Sequence, residues 1–168
     1  MLKEIYFAAG CFWGTEKLFS SIHGVTETVC GFANGKPELG LSYERVCRGD
    51  TDSREAVFVR YESDQVTLSQ LLRAYYLIVD PTVRDQQGPD IGSQYQCGIY
   101  CTDPQDLESV KAYSRQEAMK YSRFTVELLP LLSFIPAEEY HQHYLDKNPG
   151  GYCHVDPTLF GRINDLLG

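Results

Sequence analysis

The apolar run Ile5-Tyr6-Phe7-Ala8-Ala9 stops at Gly10-Cys11-Phe12-Trp13-Gly14, where a thiol stands between two glycines and beside the only tryptophan of the chain. A short apolar run ended by glycine and followed by packing residues at helical spacing is a strand turning into a helix. Residues 4 to 8 are the predicted strand, and Trp13 to Ile22 the helix, with Trp13, Leu18, Phe19 and Ile22 available for packing and Gly24 at its end. Cys11 then sits at the amino end of a helix, where unpaired N–H groups and the helix dipole lower a thiol's pKa and favour the nucleophilic thiolate. The same pattern also suits an inert, buried small residue, with the glycines serving only the turn. Both readings stand at this point.

The rest of the chain reads as alternating strands and helices. Val25 to Phe32 is β-branched and strand-like, and the loop after it is punctuated by Asn34-Gly35, Pro37 and Gly40. Glu55 to Tyr61 is the next strand, with Glu55, Val57, Val59 and Tyr61 on one face. Thr67 caps a helix whose Leu68, Leu71, Leu72, Tyr75 and Tyr76 form one apolar stripe, stopped by Asp80-Pro81. Residues 82 to 95 are read as a loop, Gln96 to Cys101 as a strand, and Asp103-Pro104 as the start of a helix running to about Tyr121. Thr125 to Leu129 is a further strand, Glu138 to Leu145 a short helix, and Asn148-Pro149-Gly150-Gly151 opens an irregular tail. The order β-α-β-β-α-β-α-β predicts an α+β two-layer sandwich with a mixed sheet and a ferredoxin-like, split βαβ core.

A chain of 168 residues is long enough for one domain with a single core, here a body to about residue 145 and a mobile tail from about 146 to 168. The 15 basic and 23 acidic side chains leave a net charge of −8 without long blocks of either sign, which argues against nucleic acid and anionic lipid as partners. Met1-Leu2-Lys3-Glu4 does not open a secretory signal, and no apolar run is long enough to span a membrane, so a cytoplasmic monomer is expected. Six cysteines, at 11, 30, 47, 97, 101 and 153, include no Cys-x-x-Cys pair. They are expected as thiols rather than a zinc site or a thioredoxin-type dithiol.

Glu55 heads a largely apolar strand face, where burial would keep a carboxyl protonated near neutral pH and fit it to act as a general acid; a strand-end charge reaching solvent is the plainer alternative. Tyr43 and Tyr95 lie in loop-like segments and could polarise an oxygen while their rings exclude water. His141 and His143, two apart on a predicted helix, face different ways and do not make a metal site. His154, next to Cys153, could raise the thiolate content there, although a surface histidine is the default, and Cys97 and Cys101 read as structural residues on one face of a strand.

Taken together, the segments resemble the A-type peptide methionine sulfoxide reductases. The resemblance rests on Gly10 to Gly14, Gly31-Phe32-Ala33-Asn34-Gly35, Tyr43 ahead of Val46-Cys47-Arg48-Gly49, Glu55-Ala56-Val57, Asp80-Pro81-Thr82, Gln87 to Tyr95, Ala137 to Gln142 and Asn148 to Cys153. It implies reduction of the S epimer of methionine sulfoxide, free or in proteins, without a bound cofactor. Cys11 would be the nucleophile, Glu55 the acid aided by Tyr43 and Tyr95, and Cys153 the resolving thiol. Phe12 and Trp13 would seat the substrate methyl group, with Gly10 and Asp90 bordering it. Cys11 sulfenic acid would condense with Cys153 to a disulfide, and thioredoxin would restore the dithiol. Ala9, Arg54, Val79 and Gln96-Cys97 depart from the family's usual residues, and Cys30 stands where the pattern has no cysteine. A thiol peroxidase and a non-catalytic redox-sensing or sulfoxide-binding module are the competing readings.

Overall fold

The computed structural model describes residues 1–35, 42–48 and 51–168. Pro37 and Gly40 of the predicted loop, and Gly49 of the matched blocks, lie outside them. Six strands form one sheet: β1 (Leu2–Ala8), β2 (Val25–Ala33), β3 (Arg54–Glu62), β6 (Gly98–Cys101), β7 (Glu127–Pro130) and β8 (Phe134–Pro136), in the order β7-β6-β1-β3-β2-β8. The inner four, β6-β1-β3-β2, are the split βαβ arrangement. β1 is antiparallel to both neighbours, in register Phe7 with Val57 and Ile99, while β2 is antiparallel to β3. β7 joins β6 in parallel at one edge and β8 joins β2 antiparallel at the other. The sheet is therefore mixed, as expected.

Helices α1 (Phe12–Ser20), α3 (Leu68–Ile78), α4 (Pro104–Ala118) and α6 (Thr158–Leu167) contribute to one large core with Ile5, Phe7, Val57, Val59 and Tyr61 from the sheet. Strand alternation sends Tyr6, Ala8, Ala56, Phe58 and Tyr100 to the opposite face, into a smaller cluster under Leu131 and Phe134. Phe7 stacks on Phe19 of α1 at 4.4 Å and on Tyr75 of α3 at 5.4 Å, which fixes both helices across the strand leading to Cys11. The Tyr75 hydroxyl also donates to the Ala8 carbonyl at 2.7 Å, pinning the last strand residue before the turn.

The local signals explain the helix starts. Thr67 accepts from the Gln70 N–H at 3.1 Å while Gln70 accepts from the Thr67 N–H at 2.9 Å, a reciprocal capping box. Asp103 caps α4 with Pro104 in its first turn.

Several expectations need correction. The region 82 to 95 holds a small hairpin, β4 (Gln86–Gln87) with β5 (Asp90–Ile91), and a single 3₁₀ turn at Ser93–Tyr95. Tyr43 begins a one-turn helix, α2 (Tyr43–Val46), capped by Ser42. Gln96 and Cys97 precede β6 instead of starting it, because the Gln96 side chain is spent on the Asp85 N–H and on the Cys97 and Thr125 carbonyls. The helix expected over 138–145 is interrupted: a 3₁₀ turn covers Glu139–His141, His143 takes the left-handed conformation at φ 52°, and only Tyr144–Lys147 (α5) is helical. The tail is not irregular throughout, since α6 buries Ile163 completely in the main core. Among the described residues, no helix is long and apolar enough to cross a membrane.

Candidate active site

Cys11 occupies the position before the first residue of α1, as the sequence requires, and is only 6% exposed. Gly10 makes the turn at φ +84°, a conformation that glycine alone adopts freely, and a Cβ there would lie 2.7 Å from the Gln87 Cβ. The Trp13 N–H favours the thiolate, but burial outweighs it and the nearby Glu55 adds to the effect, so the Cys11 thiol is pushed well above its ordinary pKa. This corrects the expectation of an anionic sulfur at rest. The helix terminus contributes with the anticipated sign and loses to desolvation.

Glu55 is 1% exposed and faces the same end of α1. Its Oε1 accepts from the Phe12 N–H at 3.2 Å, and its Oε2 is buried without a partner. Burial raises this carboxyl to about 8, against the lowering effect of the Phe12 N–H, and the Asp90 charge assists the rise. A neutral carboxylic acid with an open oxygen therefore stands beside the thiol near neutral pH.

Tyr43 and Tyr95 enclose the pair from α2 and from the 3₁₀ turn. Both hydroxyls are pushed up, first by burial and then by Glu55, so both remain protonated donors. Phe12 packs against Phe32, Tyr43 and His141, with ring centroids 5.8, 6.1 and 5.5 Å away. Trp13 stacks face to face on Tyr144 at 3.8 Å, and its indole N–H donates to His141 Nδ1 at 3.0 Å. Asp90, at the start of β5, accepts from the Tyr152 hydroxyl at 2.7 Å.

Cys153 comes from the other end of the chain. Its Sγ donates to the Val155 carbonyl at 3.3 Å and lies against Gly14, where an added Cβ would approach it to 2.8 Å. The second glycine of the motif thus admits the tail to α1, three residues beyond Cys11. All six cysteines are free thiols. Cys30 is buried, with its Sγ 3.7 Å from the Phe12 carbonyl; Cys47 is exposed; Cys97 and Cys101 are buried in the main core.

Every residue expected at the site is drawn to this one end of the sheet. Others escaped the sequence reading. His154 is no surface histidine: its Nε2 bonds to the Ala9 carbonyl at 2.7 Å, its Nδ1 is buried without a partner, and burial lowers its pKa. His141 is 2% exposed and serves the aromatic wall. Gln87, 2% exposed, binds the Asp80 N–H and carbonyl at 2.9 and 2.8 Å and thereby braces the loop behind Gly10. The matched blocks of sequence contained His141 and Gln87, and His154 directly follows the last block, but a side chain's partner is set by the fold.

The profile of the family described as peptide methionine sulfoxide reductase matches residues 3–162. A curated relative from Lachnoclostridium phytofermentans, peptide methionine sulfoxide reductase MsrA, is 49% identical over 161 residues, covering 95% of this chain and 96% of its own. Mxr1 from Saccharomyces cerevisiae in its reduced form superposes with a TM-score of 0.87 at 38% identity, over 90% of this chain and 88% of that one. Methionine sulfoxide reductase A of Corynebacterium diphtheriae gives 0.86 at 38% identity, over 90% and 77%. Mxr1 in complex with Trx2 gives 0.56 at 20% identity, over 85% and 84%, a likeness of fold alone. The thiol, the neutral acid, the aromatic wall and the near end-to-end match agree, and the chain belongs to the peptide methionine sulfoxide reductase family, in its A-type branch.

Proposed function

We propose that the chain reduces methionine-S-sulfoxide, free and in proteins, to methionine, with Cys11 receiving the oxygen and Cys153 resolving the product. The observation that supports this most is the uncharged Glu55 with one unpartnered oxygen beside the Cys11 thiol. The substrate methyl group rests on Phe12 and Trp13, and the sulfoxide oxygen points to Glu55, Tyr43 and Tyr95. Cys11 attacks the sulfoxide sulfur as it loses its proton, and Glu55 protonates the oxygen, so a poor leaving oxide departs as hydroxyl. The substrate sulfur–oxygen bond breaks, the hydroxyl is taken up at the Cys11 sulfur as the transient bond between the two sulfurs breaks, and methionine leaves with that electron pair, so the substrate gains two electrons and Cys11 loses two in becoming sulfenic acid. The proton shed by the thiol restores Glu55 to its neutral form.

Cys153 then attacks the Cys11 sulfenic sulfur; water leaves and a disulfide forms. A thioredoxin-type dithiol reopens it by exchange. The test is one turnover without reductant: fully reduced protein mixed with one equivalent of methionine-S-sulfoxide, followed by peptide mapping. One methionine released and a Cys11–Cys153 disulfide are expected, whereas Cys11 joined to Cys30 or Cys47 overturns the resolving role of Cys153. Glu55→Gln is expected to slow the reduction step by about 10²- to 10⁴-fold with little change in substrate binding. Fast peroxide consumption with no sulfoxide reduction would point to a peroxidase instead.

A further inference from the structure

Three carboxylates are buried among the described residues. Glu55 belongs to the reaction, and Asp106 pairs with Lys3 at 2.7 Å. Glu16 is left over. It lies three residues after Trp13 on α1, so both side chains project from the same side of the helix, and it is 1% exposed. Its Oε1 accepts from the His143 N–H at 2.6 Å and its Oε2 from the Thr28 hydroxyl at 3.0 Å. It also faces the Cys30 thiol, which it pushes up after burial. The His143 ring, half in solvent, approaches the Glu16 Oε2 at 3.9 Å and Asp146 at 3.6 Å.

The placement of these bonds gives them a purpose beyond core polarity. His143 holds a left-handed backbone at φ 52°, which a non-glycine residue keeps only when its surroundings fix it. On either side of it are His141, which takes the Trp13 indole N–H, and Tyr144, which stacks on the indole. Gln142 ties the same strap to β2, accepting from the Cys30 N–H at 2.8 Å and donating to its carbonyl at 2.9 Å. Apart from the Trp13 indole itself, Glu16 is the α1 residue that hydrogen-bonds the strap to the helix among the described residues, with Lys17 pairing to Asp146 just beyond it. We infer that Glu16 is a positioning residue, whose carboxylate holds the 141–144 strap one turn from Trp13 and so sets the indole wall against which the substrate methyl group rests. Its part in binding rests on the reductase reading above; its hold on Trp13 does not.

What matters in this role is reach and an acceptor, not charge. Glu16→Gln keeps the reach: its amide oxygen can take the His143 N–H while its NH₂ donates to the Thr28 hydroxyl. Glu16→Asp keeps the charge but, one methylene shorter, falls short of the His143 N–H that it must accept. With N-acetyl-methionine-S-sulfoxide amide as substrate and dithiothreitol as reductant, Glu16→Asp should raise KM about tenfold with kcat within about threefold. Glu16→Gln should restore most of the wild-type KM. Trp13 is the only tryptophan, so its emission reports the wall directly and without turnover. The emission should shift to the red in Glu16→Asp and stay near wild type in Glu16→Gln. Thr28→Val, which removes a partner of Glu16 that the strap does not use, should lower Tm and leave both readouts alone.

A Glu16→Asp protein with unchanged KM and emission overturns the inference and leaves Glu16 a structural residue. Equal damage from Gln and Asp also overturns it, because reach and an acceptor would then not be sufficient. If the wild-type protein proves inert toward the sulfoxide, the reductase reading fails, and the emission of the two variants still decides the positional claim.

Discussion

At Glu55 the competition between burial and hydrogen bonding has a signed effect on stability. The unfolded carboxyl ionises above 4.5, whereas the folded one keeps its proton to about 8. Between those values the folded state binds more protons than the unfolded state, so stability falls as pH rises and levels off above about 8. Glu55→Gln should abolish that fall and stabilise the protein at pH 8 by roughly 3 to 5 kcal/mol, read by urea unfolding at pH 5 and pH 8. An identical pH slope in both proteins would contradict the buried, neutral acid. Cys11, buried and held as a thiol, should react with iodoacetamide at least about tenfold more slowly than exposed Cys47, which site-resolved mass spectrometry measures. Cys11 and Glu55 were legible in the sequence because a glycine-bounded turn and a strand face constrain where such side chains go. The protonation of Cys11 was not, because helix position and burial act in opposite directions and only the fold says which prevails. Glu16 was hidden for a related reason: a glutamate on an amphipathic helix ordinarily faces water, and nothing in its neighbours announces the strap that covers it.

The α1 helix illustrates how one element serves two requirements. Glycine at position 14 weakens a helix interior, and alanine there would ordinarily add up to about 1 kcal/mol of stability. Here the new methyl group would press on the Cys153 sulfur at 2.8 Å. Gly14→Ala is therefore expected to loosen the 152–155 segment. Cys153 should alkylate faster in the resting protein and disulfide formation after one turnover should slow, while the first reduction step keeps its rate. Elements with a strong local code were readable: the Thr67 box, the Asp103-Pro104 start and the β1 to α1 turn. The missed ones lack it. β8 is a three-residue edge strand ending in proline, and α2 is a single turn. The break at Gln142-His143 depends on Glu16 and on the Cys30 backbone, both more than a hundred residues away. In α6 the spacing Leu159, Ile163, Leu167 is present, but Gly161 interrupts it and its amino end takes its cap from Asp156, outside the helix.

Across the whole molecule, the ferredoxin-like core followed from element order, whereas strand order did not, because one sequence carries no record of which strands pair. The carboxy-terminal region is integrated through α6: Ile163 is fully buried, and Asn164 bonds to the His23 N–H at 2.8 Å and the Ser21 carbonyl at 2.9 Å, both just beyond α1. Ile163→Ala should accordingly destabilise the protein by about 2 to 4 kcal/mol in urea unfolding. A loss under about 0.5 kcal/mol would mean that α6 is a peripheral attachment.

The placement of Cys153 against Gly14 has a consequence for biosynthesis. The two sulfurs are 153 − 11 = 142 positions apart, so a ribosome working at about 5 to 20 residues per second delivers the second roughly 7 to 28 seconds after the first. With the roles proposed for Cys11 and Cys153, the growing polypeptide carries the nucleophile without its resolving partner throughout that interval, and repeated turnover begins only once translation has run nearly to its end.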